Sequence, residues 1–135
     1  MRSYIFAVCV VSVLCFIIGC RHYNIATVHK PPSLQRNGEV MNLRFGVEFH
    51  GTTLKMPSQM VSNVECHYSF DETHYQVEPM LLDSETRKIV NFTCKIITPK
   101  QAGACRYFFT YTLNGEMSCD GSVDLPIRIE LYPVQ

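Results

Sequence analysis

The chain has 135 residues, 12 Lys plus Arg against 12 Asp plus Glu, a hydrophobic content of 47% and no tryptophan. So even a balance provides no basic field to hold nucleic acid or an anionic membrane, and neither is an expected partner. The length leaves room for one domain after a targeting segment and too little for two.

Residues 1 to 20 form such a segment. Arg2 carries one positive charge, residues 3 to 20 carry none, and the apolar runs Ile5 to Val11 and Val13 to Ile18 lead to Gly19-Cys20. This is the layout of a secretory signal peptide, with cleavage after Gly19 or Cys20 and an exported mature chain. At about 1.5 Å per residue the same run is just long enough for an uncleaved anchor, although Gly19-Cys20 ends such a helix poorly. The tetrapeptide Ile17-Ile18-Gly19-Cys20, placed at the end of the leader, resembles the bacterial lipoprotein processing box. That resemblance implies a lipid on Cys20 and a place in the cell envelope. Cys9, Cys15, the sparse n-region and Arg21 fit a eukaryotic or viral leader better, so ordinary secretion is the favoured reading. A membrane enters only if Cys20 is lipidated or the leader stays uncleaved.

Residues 21 to 38 contain Pro31-Pro32 and Asn37-Gly38 with little periodic hydrophobicity. They read as an extended tether or a loosely docked first strand, with Ile25 and Val28 the candidates for burial. From Glu39 the pattern turns to strict alternation, with Leu43, Phe45, Val47 and Phe49 on one side, which marks a half-buried strand. Gly51, Pro57 and Ser58 mark a connection, and Val64, Cys66, Tyr68 and Phe70 form a second alternating set. Tyr75, Val77, Pro79 and Leu81 make a weaker third run, placed at a sheet edge because Pro79 has no N–H to donate. Residues 83 to 88 are charged and read as a turn or one helical turn.

Ile89 to Ile97 is a fourth strand with Val90, Phe92, Cys94 and Ile96 inward, and Cys105 to Leu113 a fifth with Cys105, Tyr107, Phe109, Tyr111 and Leu113 on one side. Asn114-Gly115 is the dipeptide of two-residue hairpin turns, where both central residues need positive φ. Asp120-Gly121-Ser122 breaks the next segment, and Leu125, Ile127, Ile129 and Leu131 complete a final strand. Six or seven strands with frequent turn signals and no 3.6-residue period predict an all-β, small antiparallel β-sandwich or barrel-like domain over residues 39 to 135. An antibody-type domain would carry a core tryptophan, so no immunoglobulin match is drawn from the residues.

Four cysteines remain in the body, Cys66, Cys94, Cys105 and Cys119. In an oxidising compartment they read as two disulfides of about 2 to 4 kcal/mol each. Zinc is the rival, but its cysteine ligands come in pairs two to four residues apart and these intervals are far longer. If the fourth and fifth strands are neighbours turning at Pro99-Lys100, Cys94 lies opposite Cys105 and Cys66 is left for Cys119. Across the Asn114-Gly115 hairpin Cys119 lies opposite Thr110, which argues against a bridge from Cys105 to Cys119.

Asn91-Phe92-Thr93 is an N-glycosylation acceptor whose asparagine should face solvent, opposite to Phe92 and Cys94. Glu65, His67, Asp71, Glu72 and His74 are the densest set of metal-ligating types and read as a solvated face and loop; His22, His29 and His50 are scattered. No nucleophile elbow, glycine-rich phosphate loop or H-E-x-x-H is present, so no catalytic residue, metal or cofactor is assigned. Phe108 stands on the outer side of an aromatic strand, either as cover for a central strand or as part of an interface. The expectation is an exported, non-enzymatic, disulfide-bonded binding protein whose partner is an extracellular protein, glycan or lipid. Its alternatives are a lipoprotein held through Cys20 and a small secreted hydrolase or inhibitor.

Overall fold

The computed structural model describes residues 23 to 134, so the leader and Cys20 lie outside the described residues. Strands run over Tyr23–Val28 (β1), Gln35–Arg36 (β2), Val40–Gly51 (β3), Val61–Ser69 (β4), Gln76–Pro79 (β5), Leu81–Glu85 (β6), Ile89–Ile97 (β7), Ala104–Leu113 (β8), Glu116–Asp120 (β9) and Ile127–Tyr132 (β10), and one helical turn, α1, covers Pro57–Met60. The described residues are mostly strand, consistent with the all-β class that their alternation predicts.

The strands form two sheets. The smaller has the order β1-β3-β7-β6 and the larger β2-β10-β8-β4-β5, with β9 pairing to β8 beyond the end of β10. All pairings are antiparallel except β2 with β10. Period two decides which side of each sheet closes. Met41, Leu43, Phe45, Val47 and Phe49 on β3 and Val90, Phe92, Cys94 and Ile96 on β7 are buried, and so are Val64 and Cys66 on β4 and Cys105, Tyr107, Phe109 and Tyr111 on β8. Residues of both sheets join in one hydrophobic cluster. At its centre Phe45 of the smaller sheet stacks on Phe109 of the larger, with ring centroids 4.6 Å apart and planes 24° apart.

Five expectations need correction. Of the two readings of residues 21 to 38 the docked first strand holds where they are described and the free tether does not: β1 pairs along its whole length with β3, and β2 pairs with β10. Ile25 is half-buried against the core while Val28 is 44% exposed. The run from Tyr75 to Leu81 is not one strand, because the chain changes sheets at Met80: β5 edges the larger sheet and β6 the smaller. Pro79 does stand on an edge strand. Residues 83 to 85 are strand and not turn, since an outer strand pairs through its backbone with β7 while its polar side chains meet water. Leu125 precedes β10 and is 78% exposed. Finally, β7 and β8 are consecutive in sequence but lie in different sheets, so Cys94 and Cys105 share no ladder.

The Asn114-Gly115 turn forms as expected, with φ of 49° and 84° and the register Leu113 to Glu116. Replacing Phe45 with Ala removes the central contact between the sheets and leaves a cavity that strands cannot easily collapse into. The expected cost is about 3 to 5 kcal/mol, read as a lower midpoint in urea unfolding with the slope unchanged.

Candidate functional site

The outer face of the larger sheet carries Glu65 and His67, two of the polar side chains singled out from the sequence. Register places Glu65 opposite Thr110 and His67 opposite Phe108 on β4 and β8, and Arg106 opposite Arg128 on β8 and β10. His67 Nε2 shares a hydrogen bond of 2.9 Å with Thr110 Oγ1, and its ring stacks on Phe108 at 4.7 Å with planes 8° apart. Tyr75 covers the same phenyl ring at 5.5 Å. From the other side the backbone of Gly121, at φ 85°, comes so close that a Cβ there would fall 2.8 Å from the Cβ of Phe108. Phe108 is therefore 7% exposed and is covered by its own chain, not displayed as an aromatic patch.

Beside this face lies a cleft of about 220 Å³ lined by Ser69, Phe70, Glu72, Arg106, Arg128 and Glu130 among others. Two arginines directly across a ladder repel each other. Each is held by a carboxylate: Arg106 Nη2 donates to Glu72 Oε1 at 3.0 Å, and Arg128 pairs with Glu130 two residues along its own strand. Among the described residues Arg106 Nε is buried and has no acceptor. An unpartnered buried donor costs about 1 to 3 kcal/mol, so the guanidinium is incompletely satisfied by the domain itself.

The five metal-ligating types of 65 to 74 separate into three groups, and among the described residues no three such side chains converge. Glu65 and His67 stand 4.0 Å apart on the strand face, Glu72 serves Arg106, and Asp71 organises the loop between β4 and β5. Asp71 Oδ1 accepts from the Ser69 hydroxyl at 3.0 Å and from the N–H groups of Thr73 and His74 at 3.0 and 2.8 Å; Oδ2 meets His74 Nδ1 at 2.8 Å. The His74 N–H, then that of Thr73, hold this carboxyl well below the usual carboxylate range. Serine, aspartate and histidine meet here in the wrong order for nucleophilic catalysis: the carboxylate sits between the other two, so the imidazole cannot take the serine proton.

His29, read as a scattered residue in the sequence, acts as a clasp between the sheets. The carbonyl of Arg44 on β3 can only accept, so His29 Nδ1–H donates to it at 2.7 Å. Nε2 must then accept, and the Tyr107 hydroxyl of β8 donates to it at 2.6 Å. The ring also meets Phe109 edge-on at 4.9 Å. Burial, acting first, lowers the His29 pKa from 6.5, against the Arg44 carbonyl and the charge of Asp120, which raise it. Only its contacts across the fold mark this residue, and no sequence period could show them.

All four body cysteines are thiols in the structure. Cys66, Cys94 and Cys105 are buried in the core, whereas Cys119 is exposed opposite Thr110, as the hairpin register predicts. Cys66 lies opposite Phe109, on the inner face, so β8 and the thickness of the sheet separate it from Cys119. The expected Cys66 to Cys119 bridge is excluded by that geometry, and with it the pair of bridges in which it was a partner.

Asn91 lies on the outer face of the smaller sheet opposite Gly46, and its Nδ2 donates to Ser84 Oγ at 3.2 Å. Gly46 leaves the room: a Cβ there would stand 2.7 Å from Asn91 Oδ1. Thr93 is on the same side, opposite Arg44, while Phe92 between them is buried. No protein-family model and no curated protein matches the chain.

The clasp makes a pH prediction. His29 is harder to protonate folded than unfolded, so on acidification the unfolded chain takes up the proton first. Its contribution is complete above pH 6.5 and is lost as pH falls through the lower, folded value. Urea midpoints measured from pH 7.5 down to 4.5 should decline for the native chain, and His29→Gln should show a shallower decline over the same range.

Proposed function

We propose that the chain is an exported, non-enzymatic binding protein that engages a protein, glycan or lipid outside the cytoplasm through one face of a disulfide-stabilised β-sandwich. The observation that carries this reading is the cleft at Arg106 and Arg128, where like charges stand side by side and a buried donor lacks an acceptor among the described residues. A folded domain gains no stability from such an arrangement, and an acceptor on a partner would complete it.

The strand order supports the sandwich. With β1, β3, β4, β5, β6, β7, β8 and β10 taken as A, B, C, C′, D, E, F and G, the sheets read A-B-E-D and C′-C-F-G, the arrangement of immunoglobulin-type sandwiches. Phe45 and Phe109 then occupy strands B and F, which antibody domains join by a disulfide, and Tyr107 stands two residues before Phe109 as the corner tyrosine stands before the second cysteine. A fold of this kind serves many functions, so the binding role rests on the cleft and not on the strand order. Asn91 and Thr93 on one open sheet face support a glycan there and passage through a eukaryotic secretory route.

A lipoprotein held through Cys20 is the alternative in which the Asn91 motif carries no meaning. A small hydrolase or inhibitor is the alternative that the four converging ionisable groups of the cleft favour. Against the hydrolase, each of its carboxylates is tied to an arginine, and Ser69 is engaged with Asp71.

Expression of the full chain with its own leader in secreting mammalian cells tests the export reading. The expected product is in the medium, starts after Gly19 or Cys20 and loses one N-glycan in the variant Asn91→Gln. Retention in membranes, relieved by Cys20→Ala, would establish the lipoprotein instead. Binding of the labelled secreted protein to arrays of cell-surface proteins, glycans and liposomes tests the role of the cleft. The double variant R106A/R128A should keep its thermal midpoint and lose about tenfold or more in affinity, on the order of 1.4 kcal/mol. Undiminished binding by that variant would remove the cleft from the reading.

A further inference from the structure

The larger sheet brings Cys66 on β4 to the inner face, and the smaller brings Cys94 on β7 to the inner face opposite it. Cys66 is 0% and Cys94 7% exposed. Packed sheets usually stand about 10 Å apart. Here β4 and β7 approach within 8 Å, Cα to Cα, near where the chain crosses from one sheet to the other at Met80. A disulfide needs roughly 4.4 to 6.8 Å between its Cα atoms, and in the thiol form described no cysteine pair is bonded.

We propose that Cys66 and Cys94 form an inter-sheet disulfide in the exported protein, and that Cys105 and Cys119 stay thiols. The inference rests on the export reading for its oxidising compartment. Three observations separate this pair from the other combinations. Cys119 faces outward and is cut off from every inward sulfur by the sheet. Cys105 is two alternations from Phe109, the residue that Cys66 faces, and it pairs through its backbone with Ile129. The Cys66 and Cys94 side chains share the core cluster and each perturbs the ionisation of the other. That interaction, ahead of burial, raises the Cys66 pKa and lowers that of Cys94, whereas burial pushes Cys105 up to about 12.

The chemistry is thiol–disulfide exchange with a disulfide oxidant, either glutathione disulfide or a protein disulfide donor. The Cys94 thiolate attacks one oxidant sulfur and the other leaves as a thiolate. Cys66, giving up its proton, then attacks the Cys94 sulfur of the mixed disulfide and releases the second thiol. Two electrons and two protons pass from the cysteine pair to the oxidant. Both sulfurs are buried in the finished domain, so exchange belongs to the folding chain.

The protein from the secretion medium is blocked with a maleimide, unfolded, blocked with a second, heavier maleimide and digested without reductant for mass spectrometry. The expected result is a linked pair of peptides carrying Cys66 and Cys94, with Cys119 bearing the first label and Cys105 the second. The double variant Cys105→Ser/Cys119→Ser should keep the link and the fold, and reduction should lower its thermal midpoint. A link that includes Cys105 or Cys119, or four labelled thiols in protein recovered from the medium, overturns the proposal while leaving export intact. A chain that stays inside the cell overturns export instead. The pairing is then read from the full chain purified from those cells and oxidised with glutathione disulfide, where failure to link Cys66 to Cys94 overturns it separately.

Discussion

Each of the two sheets is apolar on one side only, and neither can leave that side in water. The stacked rings of Phe45 and Phe109 are where they meet, and the other inward residues arrange themselves around that contact. Strands β3 and β8 are the longest and supply the middle of each core face, so the stack lies at the join of the two most buried elements. A one-residue slip in either strand would put the opposite side chains inward and turn Arg44 or Thr110 toward the core. The alternation is therefore a constraint on register as well as on burial.

Closure leaves the chain with the problem of passing between sheets, which it does five times, and two of these crossings show different means. Between β1 and β2 it crosses through Pro31-Pro32, which have no N–H to leave unpaired, and His29 anchors the crossing to a carbonyl of one sheet and a hydroxyl of the other. Between β5 and β6 it crosses in a single residue, Met80, whose N–H donates to the Val64 carbonyl at 2.8 Å. Cys66 of β4 and Cys94 of β7 both lie in the one core cluster.

The charged residues obey a local rule. Asp71 is consumed by its own loop, Glu72 reaches across to Arg106, and Glu130 neutralises Arg128 on the same strand. These exposed or half-exposed pairs contribute little to stability, about 0 to 1 kcal/mol each. The Arg106 donor that they leave unsatisfied is the exception, and it lies in the cleft that supports a binding role.

The sequence by itself determined the class of fold, because burial on one face imposes a period of two that is written in consecutive residues: Leu43 to Phe49, Val90 to Ile96 and Cys105 to Leu113 all face as their alternation requires. It also determined the Asn114-Gly115 turn and the placing of Cys119 opposite Thr110, since a two-residue hairpin sets its own register. It could not determine which strands are neighbours. Leu81 to Glu85 hid its pairing because an edge strand needs no inward side chains, and β7 and β8 resembled a hairpin because nothing local shows a change of sheet. Only the tertiary structure decided that Cys94 and Cys105 belong to different sheets, that His29 clasps the two sheets and that Arg106 lies beside Arg128. Each of these rests on contacts between residues far apart in the chain, and such contacts follow from how the faces pack, which no short window of residues contains.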